Sequence, residues 1–174
     1  LYQFFTSMFM HASFAHLGGN MVFLWVFGSA LNDRLGHLGY LLFYLAGGVF
    51  AALGYLAVSG TAPVLGASGA ICAVTGAYMV LFPRVTVTML FWFIIITTFE
   101  VSSLFFLAIQ FVWNLWMTAQ AQAQALKGGA HVSSGVAYVA HSAGYVYGIG
   151  IAAALLLFRM LPRDAFDLPN LIRG

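Results

Sequence analysis

The sequence predicts an all-α polytopic membrane protein, a bundle of about five transmembrane helices. Charged residues make up only 6% of its 174 positions and hydrophobic residues 63%, whereas soluble domains carry about 25% and 45–50%. The apolar residues fall in long runs, and the breaks between them are short and polar. A net charge of +2 with no basic stripe excludes a nucleic-acid partner. A single cysteine, Cys72, excludes an internal disulfide and any CxxC metal or redox motif.

Residues 1–15 are aromatic-rich and read as an interfacial lead-in. The first hydrophobic helix runs from about His16 to Leu31 and closes at Asn32-Asp33-Arg34-Leu35-Gly36. The next, about Leu38 to Val58, carries Gly47, Gly48 and Gly54 for close packing. After the Ser59–Pro63 loop comes Val64-Leu-Gly-Ala-Ser-Gly-Ala-Ile71, whose helix stops at Phe82-Pro83-Arg84. Residues 85–118 exceed the roughly 20 that one span needs. They read as an apolar lead-in or tilted half over 85–99 and, over about 102–118, the main part of the next helix, with an interruption at Glu100-Val-Ser-Ser103. Residues 119–135 read as a polar loop, and the last helix runs from about Val136 to Phe158. The division expected is a core over 1–160 and a polar cytoplasmic tail over 161–174.

Alternating five helices puts Arg34, Arg84, Arg159, Arg163 and Arg173 on one side, leaving Lys127 on the other. The positive-inside rule makes the arginine side cytoplasmic. Ser68 then lies toward the outer face, recessed below the loop that precedes it.

Polar groups inside apolar segments are costly and point to function by default. One constellation is His11-x4-His16-x3-Asn20. His16 and Asn20, four apart, share a helix face, and His11 lies just before it. A second is the Ser68 stretch. Pro63 and Gly66 break the chain there, so Ser68 falls at a helix N-terminus, where free N–H groups and the positive dipole end favour negative charge. Taken alone, Gly-Ala-Ser-Gly reads first as a device that lets two membrane helices approach closely, and the rest of the chain shifts the balance. The third is Ala140-His-Ser-Ala-Gly-Tyr-Val-Tyr-Gly148, with His141, Gly144 and Gly148 on one face.

The Ser68 helix has its own small face at Gly69, Ala73 and Gly76. If the two faces meet, Ser68 and His141 come within hydrogen-bonding reach, and a histidine there can serve as general base to a serine nucleophile. His16 and Asn20 could then donate to an oxyanion beside the backbone N–H of Ser68. With no carboxylate suitably placed, the expectation is a dyad.

These three motifs, in this order on successive helices, resemble those of rhomboid intramembrane serine proteases of bacterial type, over roughly residues 3–158. The resemblance implies a six-helix rhomboid core with Ser68 as nucleophile, His141 as base, His16 and Asn20 at the oxyanion, and His11 as a nearby polar partner. Supporting positions are Gly66, Gly69, Cys72, Gly76, Gly144 and Gly148. The family's usual first helix would lie upstream of Leu1, giving five helices here and six in the parent. Two departures stand out. Many members carry Glu where this chain has Asn32, four residues before Gly36. Many also carry, four positions after the nucleophile, an aromatic ring that stacks on the histidine. Cys72 occupies that position, so His141 is expected to be held by glycine-mediated packing.

Other chemistries fit poorly. A Gly-x-Ser-x-Gly elbow fails at Ala70. A zinc protease lacks His-Glu-x2-His, and His11 and His16 are off one face with no third ligand. Cys72 has no adjacent base and would stay protonated. His37 and His131 are loop histidines without an assigned partner. A transporter lacks inverted repeats and intramembrane charges. The alternative from another class is a rhomboid-like adaptor that binds membrane helices without cleaving them; loss of Ser68 or His141 would have favoured it. The expected partners are thus a transmembrane protein substrate and the lipid bilayer, with no metal, no cofactor and no nucleic acid. The expected location is a multi-pass position in a bacterial inner or cell membrane.

Overall fold

A computed structural model describes residues 2–59, 65–92, 96–126 and 137–161. Its elements are α1 (Gln3–Thr6), a 3-10 turn (Ser7–Phe9), α2 (Phe14–Leu35), α3 (His37–Ser59), α4 (Ser68–Leu81), β1 (Thr86–Trp92), β2 (Ile96–Ser102), α5 (Ser103–Leu126) and α6 (Tyr138–Leu157). Four of the helices, α2, α3, α5 and α6, are long and apolar enough to cross a membrane. The fold is that of a polytopic helical membrane protein. Parts of the Ser59–Pro63 and 119–135 loops, with Lys127 and His131, lie outside the described residues, as does nearly all of the 161–174 tail with Arg163 and Arg173.

Helix α4 is the axis of the bundle. Every residue from Gly69 to Leu81 is buried except Cys72, which is partly so. At 14 residues it measures about 21 Å, against a hydrocarbon core of about 30 Å. A helix this short is covered on all sides by its neighbours, and α6 supplies the most extensive of those contacts.

Small residues make that possible. A Cβ built on Gly144 or Gly148 would run into the Gly69 or Ala73 carbonyl oxygen, one turn of α4 apart. On Gly76 it would meet the Tyr145 carbonyl oxygen at 2.7 Å. The faces chosen from the sequence are therefore the ones that meet, with one adjustment. The missing side chain of Gly69 points at Ala51 of α3, 2.7 Å from its Cβ, while the Gly69 carbonyl faces α6. Gly47 and Gly54 of α3 do the same against Ala73 and Ala143, each at 2.6 Å, and Gly48 gives way to Met8.

Element boundaries differ from expectation in several places. Helix α2 starts earlier than His16, because the Ser13 hydroxyl caps it by accepting from the His16 N–H at 3.1 Å. Gly36, at φ 73°, closes it in a conformation that favours glycine. Asn32 anchors this turn despite replacing Glu: its side-chain oxygen pairs with His37 Nδ1 at 3.1 Å, giving His37 the partner it lacked in the sequence. The lead-in is folded, and the Ser7 carbonyl accepts from the Gly66 N–H at 2.9 Å, tying it to the turn before Ser68.

The largest correction concerns residues 85–102. Here β1 and β2 pair antiparallel, with Thr86 opposite Ser102 and Trp92 opposite Ile96, where an apolar lead-in or tilted half of a helix was expected. Pro83 halts α4, and the β-branched succession Val85-Thr-Val-Thr88 suits a strand better than a helix. The interruption near Glu100 belongs to the second strand, where the carboxylate accepts from Thr86 Oγ1 at 3.3 Å. Buried Ser103 ties the β1–β2 pair back to the end of α4, donating from Oγ to the Phe82 carbonyl at 3.0 Å and from N–H to the Val85 carbonyl at 2.9 Å. Helix α5 also runs on through the Ala-Gln alternation to Leu126, where a loop was expected. Alanine and glutamine are strong helix formers, and helical propensity outlasts the apolar stretch.

Candidate active site

Ser68 is the first residue of α4. Gly66, two residues before it, has φ +114°, a region closed in practice to other residues. The first intrahelical bond joins the Ile71 N–H to the Ala67 carbonyl at 2.9 Å. The N–H groups of Ser68, Gly69 and Ala70 therefore have no acceptor within the helix and point out of its positive end.

His141 stands in the first turn of α6, and the glycine contacts of Gly144 and Gly148 bring that turn alongside Ser68. His141 Nε2 lies 2.7 Å from Ser68 Oγ, so the two residues singled out by motif are directly hydrogen-bonded across 73 positions of sequence. An imidazole in that position can take the hydroxyl proton as the oxygen attacks an electrophile.

The first motif converges on the same place. A Cβ on Gly66 would lie 2.8 Å from His16 Cε1, 3.0 Å from His16 Nε2 and 3.8 Å from Asn20 Nδ2. The His16–Asn20 face of α2 thus backs directly onto the turn that presents Ser68, and a side chain at Gly66 would displace both groups. Asn20 is 8% exposed, and its Nδ2 is buried without a hydrogen-bond partner. A buried donor left unpaired is costly, so this one is available to an acceptor brought by a ligand. The His11 ring meets that of His16 edge-on, with centroids 5.2 Å apart, and its Nε2 is likewise buried and unpaired. Among the described residues, no three His, Cys, Asp or Glu side chains gather to hold a metal ion.

Cys72 sits one turn below Ser68 in the α4–α6 contact, its Cβ 3.0 Å from where a Gly144 side chain would begin. No ring from α4 stacks on His141. The Tyr138 ring, from the same helix, approaches it edge-on with centroids 6.3 Å apart.

A residue not anticipated from the sequence completes the surroundings. Asn114 of α5 is 5% exposed, and its Oδ1 lies 2.9 Å from His141 Nδ1. It belongs to a polar edge joining α5 to α6. Gln110 Oε1 accepts from the Tyr145 hydroxyl at 2.8 Å, and Thr118 Oγ1 pairs with Ser142 Oγ at 3.1 Å. The signal was available: Gln110, Asn114 and Thr118 recur every four residues in the otherwise apolar stretch 104–118 of α5.

A model described as the rhomboid domain matches residues 1–158. Similar curated proteins include Rhomboid protein 1, mitochondrial, of Saccharomyces cerevisiae, 42% identical over 86 residues, which are 45% of this chain and 24% of that protein. Rhomboid-like protein 11, chloroplastic, of Arabidopsis thaliana is 42% identical over 71 residues, 40% of this chain and 25% of that one. The human presenilin-associated rhomboid-like protein, mitochondrial, is 35% identical over 89 residues, 49% of this chain and 24% of its own. The matched stretch thus spans about a quarter of each relative. No solved structure matches significantly. The expectation of a bacterial type and a bacterial membrane is not supported, since these relatives are eukaryotic proteins named for mitochondria or chloroplasts. On the strength of a domain match covering nearly the whole chain, the protein belongs to the rhomboid family.

Proposed function

We propose that this chain is the core of an intramembrane serine endopeptidase that cuts transmembrane segments, with Ser68 as nucleophile and His141 as general base. The observation that carries the reading is the 2.7 Å contact between His141 Nε2 and Ser68 Oγ at the N-terminus of the short central helix. In the first step the Ser68 hydroxyl proton passes to Nε2 while Oγ bonds to the scissile carbonyl carbon, whose oxygen takes the negative charge. Collapse of this tetrahedral species breaks the C–N bond, and the imidazolium returns its proton to the leaving amine. Water then adds to the acyl-enzyme with His141 again as base, and Ser68 is regenerated. Asn20 Nδ2, the His16 ring and the outward-pointing N–H of Ser68 are the oxyanion donors in this scheme.

Depth selects the substrate. Helix α4 is about 9 Å shorter than the hydrocarbon core, so with its arginine-flanked end at one surface, Ser68 is recessed below the other. Arg84 follows α4, as Arg34 and Arg159 close or follow α2 and α6. A peptide carbonyl reaches Ser68 only from a segment whose own helix has opened, so substrates are expected to carry helix-weakening Gly, Pro or Ser near the cut.

The test is covalent labelling by a fluorophosphonate or isocoumarin probe, together with cleavage of a model transmembrane substrate by the full-length protein in liposomes. Labelling at Ser68 that disappears in Ser68→Ala supports the protease. Capture of membrane helices with neither labelling nor cleavage would mean the adaptor.

Asn20→Ala is expected to lower kcat by about 10- to 1,000-fold with a smaller change in KM, because an oxyanion donor acts in the transition state. Loss of one such donor elsewhere costs on the order of 10²–10³, and His16 can soften that loss. His16→Ala should behave similarly and His11→Ala should cost less. A change confined to KM would reassign Asn20 to helix packing.

A further inference from the structure

We propose that Asn114 is a positioning residue for His141, making the site a Ser68–His141–Asn114 triad rather than a dyad. This rests on the protease reading and adds to it the group that decides which imidazole nitrogen is the base.

The hydrogen bonds around Asn114 fix their own direction. Its Nδ2 donates to the Gln110 carbonyl at 2.7 Å, and its Oδ1 lies 2.9 Å from His141 Nδ1. Turning the amide over would set Oδ1 against a carbonyl oxygen, two acceptors with no proton between them. The Gln110 carbonyl therefore holds the amide so that an acceptor faces His141. Oδ1 can only accept, so Nδ1 must carry the proton. In the neutral ring the other nitrogen is then bare, and that nitrogen faces Ser68 Oγ at 2.7 Å. Without this contact the proton is free to sit on Nε2, where the ring cannot take one from serine. Tautomer control is what the third member of a serine triad supplies.

Burial agrees with this role. Much of α5 is exposed on the outside of the bundle, with Val112, Trp113, Leu115 and Trp116 all above 40%, yet Asn114 among them is 5% exposed. Where an aromatic ring would brace the histidine from α4, this chain has Cys72, and the brace comes instead from α5 through the far ring nitrogen. Gln110 is itself pinned by the buried Tyr145 hydroxyl.

An amide differs from a carboxylate in one testable respect. It orients the ring without contributing a charge to stabilise the imidazolium. Asn114→Asp puts a carboxylate at Nδ1, and a neighbouring negative charge favours the protonated ring. The acid limb of kcat/KM, which reports the base in the free enzyme, should then move to higher pH while activity is retained. Asn114→Leu keeps the volume and removes the acceptor. It should lower kcat by about 10- to 100-fold with KM little changed, less than the roughly 10⁴ lost when a charged triad carboxylate is neutralised. Thr118→Val removes the hydrogen bond to Ser142 one turn along the same edge, leaves the Ser68–His141 and His141–Asn114 hydrogen bonds in place, and should change kcat by less than about 3-fold.

The experiment measures kcat, KM and the pH profile of the three variants beside wild type in liposomes, with thermal stability in parallel. A raised acid limb in Asn114→Asp with the selective kcat loss in Asn114→Leu establishes the triad. An unmoved limb, or equal losses in Asn114→Leu and Thr118→Val, overturns it in favour of a helix clasp. If Asn114→Leu does not fold, the limb of Asn114→Asp decides. These failures occur in a protein whose wild type cleaves, whereas a wild type that neither cleaves nor labels overturns the protease reading itself.

Discussion

Ser68→Ala and His141→Ala are each expected to abolish cleavage, and the double variant to be no slower than either. The two side chains act on a single proton, shared across 2.7 Å. Removing the hydroxyl leaves nothing to attack, and removing the imidazole leaves the hydroxyl protonated, so neither loss can be made worse by the other. In a soluble serine protease the corresponding losses are on the order of 10⁶ and are grossly non-additive. Here both single variants should reach assay background. The readout is cleavage of a transmembrane substrate alongside probe labelling, with circular dichroism and detergent melting curves to establish that each variant is folded. Ser68→Ala leaves the small-residue contact between α4 and α6 intact and should melt close to wild type. Substantial cleavage by folded Ser68→Ala would refute the mechanism. The proposed chemistry runs on a serine oxygen, an imidazole and water, so chelators should leave the wild-type rate unchanged.

The parts of this site legible in the sequence are those where short-range spacing meets an intolerant environment. His16 and Asn20, four apart, announce a shared face. Glycines four apart in the His141 helix announce where another backbone must approach. Both inferences translate directly into the contacts of α4 with α2 and α6. Asn114 escaped because its meaning is relational: an asparagine in an apolar helix is a helix-packing group until the ring nitrogen 27 positions away is placed beside it. Its partner Gln110 lies four residues earlier, so the spacing alone marked a polar edge without saying which helix it faced. The β1–β2 pair is hidden in the sequence for a different reason. Residues 85–102 are apolar enough to pass for part of a span, although Thr and Val in direct succession after Pro83 argue for extended chain. The end of α5 was misplaced because polarity was equated with a loop, whereas the Ala-Gln alternation is polar and helix-forming at once.

Gly144→Val is expected to inactivate the protein without removing any group from the proposed chemistry. A Cβ at position 144 would collide with the carbonyl oxygen of Gly69 and lie 3.0 Å from Cys72 Cβ and 3.2 Å from the Ala73 nitrogen. Two of these three atoms are backbone, and Gly69 adjoins Ser68, so relief requires the first turn of α4 to move away from α6. That turn carries the nucleophile, while His141 lies less than one turn from the wedge on the other helix. A separation of about 1 Å would break the Ser68–His141 hydrogen bond, and misplacement on that scale can cost about 10²-fold. Overpacking adds a stability loss of typically about 1–3 kcal/mol. Because the collision begins at Cβ, Gly144→Ala should already be impaired, giving the order wild type, Ala, Val in both labelling and cleavage. Gly150 provides the control within the same helix, since a Cβ there meets nothing within 4 Å and Gly150→Ala should label like wild type. Melting temperature in detergent and probe labelling of Ser68 should be measured on all three variants. Loss of labelling at position 144 with the fold retained supports the contact as the device that sets the Ser68–His141 distance, and a fully active Gly144→Val protein would mean that α4 and α6 tolerate separation there.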